Sequence, residues 1–399
     1  MAWLSGYSYR KKITIESGYV DASLSNFVLD VVLASGSFTF SRARSDGYDV
    51  VFTASDGETA LPFTREYYDS TNSKARFHIK VSSVSDTTDT ELYMYYGKAS
   101  DTDHASSGYT VWSESYAGVW HLGDTSYEDA LGTYDASLLS GSTPSVTDTL
   151  WGRYLTLSSH SFGTDLAMAS LASNDEVTVT IVMAWTGSGT FIPIEYSDAF
   201  YENSAFAIYL NNYGDGYPTF GECDGSNINI IYDATDCSDG TLRTLTFTMD
   251  RSGGGTTTNY SYINGVATGS RTQHGDYQAD TTGNLGTETL YFGSDVGVVS
   301  PFSGTFGDLR LSTIKRSAAW IKAESYSIRQ LLHSLGNEET PITPKALIAS
   351  ISTTITARRQ ISQMLSVSLS ATASLLYALP PPVLDAISKV GACLYLKWT

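Results

Sequence analysis

Strand-forming segments recur at short spacing along most of this chain, and between residues 117 and 339 they follow one another with hardly a break until a Gly-Asp step, a closing strand and a single helix. Tyr154 to Leu157, Val177 to Trp185, Phe191 to Tyr196, Phe206 to Leu210, Arg243 to Asp250 and Asn259 to Ile263 are rich in β-branched and aromatic residues and are bounded by turn formers. Asn264-Gly265 is the strongest hairpin signal in the chain, because both residues tolerate positive φ. The series predicts an all-β sandwich. It closes in a helix predicted from Ser317 to about Leu332, with Ser317 as N-cap.

The 399 residues are too many for one small core and divide into two or three domains. The boundaries read as a β domain over 1–98, a polar linker over 99–116, the long sandwich over 117–339, a proline linker over 340–345 and a β-rich segment over 346–399. In the first of these, Tyr9 to Ile15, Phe27 to Leu33, Tyr48 to Thr53, Ala75 to Val81 and Glu91 to Tyr96 alternate as strands, and Asp56-Gly57 marks a hairpin turn. The residues Trp3, Tyr9-Arg10-Lys11-Lys12-Ile13-Thr14-Ile15, Leu24-Ser25-Asn26-Phe27, Asp46-Gly47-Tyr48-Asp49-Val50-Val51-Phe52 and Leu92-Tyr93-Met94-Tyr95-Tyr96-Gly97 resemble the DUF2341 family. Phe77 stands where that family usually carries tryptophan. The resemblance brings no settled chemistry with it.

In the longer region, Val119-Trp120-His121-Leu122, Tyr262-Ile263-Asn264-Gly265 and Gly304-Thr305-Phe306-Gly307-Asp308-Leu309-Arg310-Leu311-Ser312, running into Arg316 to Glu324, resemble the concanavalin A-like jelly roll of the laminin G type. Domains of this type often follow DUF2341 segments. The resemblance specifies fold more than function, since such sandwiches serve lectins, adhesion modules, pure structure and some glycoside hydrolases.

The hydrolase reading needs two carboxylates on alternate residues of one strand. Glu222-Cys223-Asp224 is the nearest match, but a further glutamate is missing and Gly225-Ser226 suggests a loop. Gly293-Ser294-Asp295-Val296-Gly297 has aspartate where a nucleophilic serine would sit. No catalytic residue is therefore expected. His121, His160, His274 and His333 lack a metal-ligand spacing, and Asp101-x-Asp103-His104 has no further ligand to close it. No cofactor is expected apart from calcium, for which Asp124 and Asp129 in one loop and Asp233, Asp236 and Asp239 in another are the candidates. The plainer account of these five is solvated acidic loops. For glycan contact the candidates are Asn211, Asn212, Tyr213, Asp215 and Tyr217, a loop that pairs aromatic rings with amides and an acid. Turns of any β-sandwich share that composition. Trp120, Trp151, Trp185 and Trp320 fall within strand or helix patterns and read as core.

The net charge of -18 argues against nucleic acid as a partner. Residues 341–399 hold Lys345, Arg358, Arg359, Lys389 and Lys397 against Asp385, or 5 minus 1, leaving -22 for the rest. Leu347 to Ala357 and Leu365 to Leu379 alternate with period two, Pro380-Pro381-Pro382 ends the second run, and Val383 to Val390 reads as a short helix. Too small to bury much alone, this segment is expected to pair with other chains or with the preceding domain, a small independent β domain being the alternative. Of the three cysteines, Cys223 and Cys237 read as free thiols, with a bridge as the alternative in an oxidising setting. Met1 to Arg10 has no signal-peptide pattern and no stretch reaches ~18 consecutive apolar residues, so neither export nor a membrane span is expected. These features together suggest a structural component of a tailed-phage virion, displayed on its surface, with other virion proteins and a host glycan as partners. A cellular carbohydrate-binding protein is the alternative, followed by a glycoside hydrolase.

Overall fold

The computed structural model describes residues 2–341, apart from 188, 199–203, 211–215, 234, 252–258, 271–282 and 298, together with residues 384–390 and 393–398. It falls into two compact units, Met1–Pro341 and Ile342–Thr399.

The larger unit contains two β-sandwiches. In the first, strands Tyr9–Ile15, Thr90–Tyr96 and Val51–Ala54 form one sheet and Leu24–Ala34, Lys74–Val84 and Phe63–Asp69 form the other. Ile13, Ile15, Leu29, Val31, Phe52, Phe77, Ile79 and Met94 fill one shared core. The edge of the first sheet is completed from far along the chain: His333–Glu339 pairs antiparallel with Tyr9–Ile15, placing Ile13 opposite Leu335. The chain thus leaves this sandwich, builds the second, and comes back to close the first.

The second sandwich packs an eight-stranded sheet against a seven-stranded one. Its central strand, Glu176–Trp185, shows what period two achieves. Val177, Val179, Ile181, Met183 and Trp185 point into the core with Phe206, Phe220, Phe292 and Phe306. The intervening residues are buried as well, against different neighbours: the Thr180 hydroxyl donates to Glu324, and Val182 packs on Ile328. Both partners lie on the helix Ala318–Ile328. This sheet therefore has no solvated face at its centre.

Ser317 caps that helix by accepting from the Trp320 amide at 3.2 Å. The helix stops at Ile328, short of the expected Leu332, because Gln330 reverses the chain at φ 58° and Leu331 and Leu332 bond back to the Tyr326 carbonyl. Asn264 and Gly265 make the expected tight turn at φ 55° and 80°, between Tyr260–Ile263 and Val266–Ser270. A Cβ at Gly265 would lie 2.9 Å from the Lys322 Cα, so this turn also packs on the helix.

In the smaller unit, the helix expected over Val383 to Val390 is instead a strand, Leu384–Val390, paired antiparallel with Cys393–Trp398. A helix of that length is unstable alone in water, whereas the neighbouring segment supplies a hydrogen-bonding ladder. The strands expected over Leu347 to Ala357 and Leu365 to Leu379 lie outside the described residues.

Candidate functional site

The two sandwiches meet through charge. Strand alternation sets Arg76 and His78 on one face of Lys74–Val84, and the antiparallel register puts Asp30 directly opposite His78. From the other sandwich, Ser303–Ser312 presents Asp308 and Arg310, again two residues apart. Asp308 sits in a β-bulge: Thr180 pairs with Arg310 but Val182 pairs with Gly307, and Asp308 takes φ 48°. The bulge aims an extra carboxylate toward the first sandwich, a strained arrangement of the kind that marks functional sites.

The contacts are short and fully buried. Arg310 Nη2 donates to Asp30 Oδ1 at 2.9 Å and Oδ2 at 3.1 Å and to Asp308 Oδ2 at 2.9 Å, and Nη1 donates to Glu324 at 3.4 Å. Arg76 Nη2 donates to Asp30 at 2.9 Å and also to Asp308, while its Nη1 lies 3.1 Å from Glu66 Oε2. Tyr116 and Thr180 donate to the two oxygens of Glu324 at 2.8 and 2.9 Å. Burial alone pushes the Asp30 and Asp308 carboxyls up, but the Arg310 and Arg76 guanidiniums outweigh it and hold both well below the usual carboxylate range.

Two histidines and a glutamate line the outer side of this network. His78 Nδ1 lies 2.8 Å from Asp30 Oδ1, and its Nε2 lies 3.0 Å from Glu66 Oε2. His121 Nδ1 lies 3.3 Å from Asp308 Oδ1. The imidazole rings stack at 4.0 Å and 8°, with Trp112 packed on both. Burial lowers the His78 pKa, yet the Asp30 and Glu66 carboxylates raise it further, for a net upward shift. His121 moves down, through burial first and then through the neighbouring His78. Burial raises the Glu66 carboxyl, but Arg76 and His78 bring it below its ordinary value.

Glu66 and His121 open onto a cleft of about 340 Å³ between the sandwiches, lined also by Tyr67, Tyr127, Asp129 and Arg153. Glu66 Oε1 is buried without a protein partner. At Gly123 a Cβ would come within 2.2 Å of that oxygen, so a larger residue there would displace the Glu66 carboxylate. Glu66, His78 and His121 each offer a ligand atom within 4.8 Å of the others, and among the described residues this is the one group of three that can hold a metal ion.

Sequence spacing did not reveal this group. Glu66 and His78 lie in no ligand motif, and His121 is one of several scattered histidines without a pattern. The calcium candidates lie elsewhere or serve their own turns. Asp124 accepts from the Ser126 amide and hydroxyl, and it and the buried Asp129 border the cleft. Asp129 accepts the amides of Val119, Leu131, Thr133 and Tyr134. Asp233 is buried and accepts from Thr235, Ser261 and Thr268. Asp236 accepts from Ser238, and Asp239 pairs with Arg243 at 2.6 and 2.8 Å. Of the glycan candidates, Asn211, Asn212, Tyr213 and Asp215 lie outside the described residues, and Tyr217 is half-buried.

Asp101 accepts from Tyr7, Lys98 and His104, and Asp103 pairs with Arg65, so that cluster is absorbed in ion pairs and hydrogen bonds. Cys223 and Cys237 are free and buried. Trp120, Trp185 and Trp320 are core residues, while Trp151 is half-buried. Glu222 is 1% exposed. It pairs across the sheet with Phe206, a core residue, so its side chain shares the inward face. There it accepts from Asn229 and Asn259 at 2.6 Å each and from Arg251 at 3.2 Å.

Residues 46–128 match the family described as a domain of unknown function, DUF2341, and residues 155–322 match the concanavalin A-like lectin/glucanases superfamily. Glu66, His78 and His121 all fall within the first match. No curated protein matches the chain. Among solved structures it is similar to domain 4 of AbnA, a GH43 extracellular arabinanase from Geobacillus stearothermophilus, in complex with arabinotriose, at 18% identity over 52% of this chain and 96% of that one, with a TM-score of 0.40. It is also similar to the binding domain of Paraclostridial Mosquitocidal Protein 1, at 12% identity over 54% and 52% with a TM-score of 0.43. The botulinum neurotoxin serotype D binding domain aligns at 15% identity over 55% and 52%, with a TM-score of 0.40. The chain spans about half the length of each of these two toxin domains. It carries a DUF2341 segment followed by a concanavalin A-like segment of the laminin G type, in that order.

Proposed function

We propose that this chain is a non-enzymatic binding protein in which the concanavalin A-like sandwich recognises a glycan and residues 346–399 anchor or oligomerise it. The setting we propose is the surface of a tailed-phage virion, as a fibre, decoration or receptor-binding component. The observation that carries the binding reading is the position of Glu222. A glycosidase needs two carboxyls flanking a bound sugar, and Glu222 is turned into the sandwich interior, held by two amides and a guanidinium. The separate C-terminal unit, with its basic charge against an acidic remainder, supports an anchoring role for that segment.

The test is a glycan array probed with the full chain, alongside native mass measurement of the full chain and of residues 1–341. The expected result is binding to a defined glycan class that Tyr213→Ala and Tyr217→Ala weaken, with an oligomer for the full chain and a monomer for the shorter one. Polysaccharide hydrolysis that disappears in Glu222→Gln would overturn the non-enzymatic reading. Monomers in both cases would remove the anchoring role.

A further inference from the structure

We propose that Glu66, His78 and His121 bind one divalent transition-metal ion, zinc being the best match, at the floor of the cleft between the sandwiches. Three independent observations lead there, and none depends on the glycan reading.

The first is the donor set. Two imidazoles and one carboxylate, with a remaining position open to a cleft, form the ligand combination that suits zinc and its neighbours rather than calcium, which takes oxygen donors. The second is the surroundings of the ligands. Metal-bound histidines almost always give their other ring N–H to a carboxylate, which fixes the ring and its tautomer. Here both histidines have that partner, Asp30 at 2.8 Å from His78 Nδ1 and Asp308 at 3.3 Å from His121 Nδ1. In His121 Nε2 is then the nitrogen left for an ion, whereas His78 Nε2 already faces Glu66 Oε2 at 3.0 Å, so an ion would take the place of that contact. The rings are stacked at 4.0 Å and 8° from parallel, so a shared ion requires one ring to tilt until both lone pairs converge. Glu66 Oε2 is engaged by Arg76 and His78, but Oε1 has no protein partner and is buried.

The third is charge. The carboxyl groups of Asp30, Asp308, Glu66 and Glu324 face the guanidiniums of Arg76 and Arg310 across contacts no longer than 3.4 Å. Four carboxylates against two guanidiniums leave two negative charges, one of them faced by His78 between Asp30 and Glu66, and a divalent ion at the floor of the cleft would neutralise both. The donors must draw together to hold an ion. Zinc bonds of ~2.0–2.1 Å place tetrahedral ligand atoms about 3.3 Å apart. The three donors already lie within 4.8 Å, and His121, stacked on His78 and packed on Trp112, would tilt toward the others. Because Glu66 and His78 come from one sandwich and His121 from the other, the ion would also fasten the two together.

The experiment treats the full chain with a chelator, adds zinc or cobalt(II) alone, and measures metal per chain after gel filtration. The expected result is one equivalent retained at micromolar free metal, lost in Glu66→Gln and in His121→Ala and kept in His160→Ala. Zinc X-ray absorption on the unmodified protein should show two imidazoles and a carboxylate, which decides the matter even if a variant fails to fold. Absence of stoichiometric binding, full retention by folded His121→Ala, or an absorption spectrum without imidazole would each overturn the proposal.

Discussion

The interior of the second sandwich and the junction between the sandwiches are equally dry, yet they are built on opposite principles. In the interior, Phe292 stacks on Phe162 and Phe306 at 5.1 and 6.0 Å, and Phe220 stacks on Phe247 at 5.4 Å. Each such contact is non-directional and tolerates modest repacking. At the junction, Asp30, Arg76, Asp308 and Arg310 have 0 or 1% exposure and depend on one another completely. Removing one partner strands a buried charge. An apolar core makes a fold stable, while a network of this kind ties two folds into one fixed arrangement and leaves polar groups ready at its edge.

That contrast predicts unequal responses to substitution. Arg310→Met removes the cation shared by Asp30, Asp308 and Glu324. It should cost about 3–5 kcal/mol in urea unfolding, because the carboxylates lose their partner. A cost below ~1 kcal/mol would mean that solvent or repacking replaces the guanidinium easily, and the network would be an ordinary polar interface. In the sandwich core, Ile181→Val deletes one methylene at a fully buried site. The expected loss is only about 0.5–1.5 kcal/mol. If it matched that of Arg310→Met, the distinction between the two regions would lose its energetic basis.

The same contrast explains what the amino-acid order disclosed. Glu176–Trp185 and Thr90–Tyr96 were legible because buried strands carry dense runs of apolar and β-branched residues, and the Asn264-Gly265 turn because its backbone demands those residue types. Phe63–Asp69 was not recognised: only Phe63 is fully buried, so no alternation marks the strand that carries Glu66. His333–Glu339 follows directly on the second sandwich in the chain, and nothing local announces that its partner is Tyr9–Ile15. The site was hidden for a related reason. Glu66, His78, His121 and Asp308 are brought together by topology and not by spacing. One signal was present all the same. Asp30, Arg76 and His78 interrupt the runs 27–33 and 75–79, whose other residues are apolar, and a charge in such a place needs a buried partner.

The central claim is that the DUF2341 segment and the concanavalin A-like segment form one cooperative unit, closed by His333–Glu339 and joined by the buried ions. Differential scanning calorimetry of residues 1–341 tests it most directly. The account predicts a single transition whose calorimetric and van't Hoff enthalpies agree. Two resolved transitions, one for each sandwich, would contradict it.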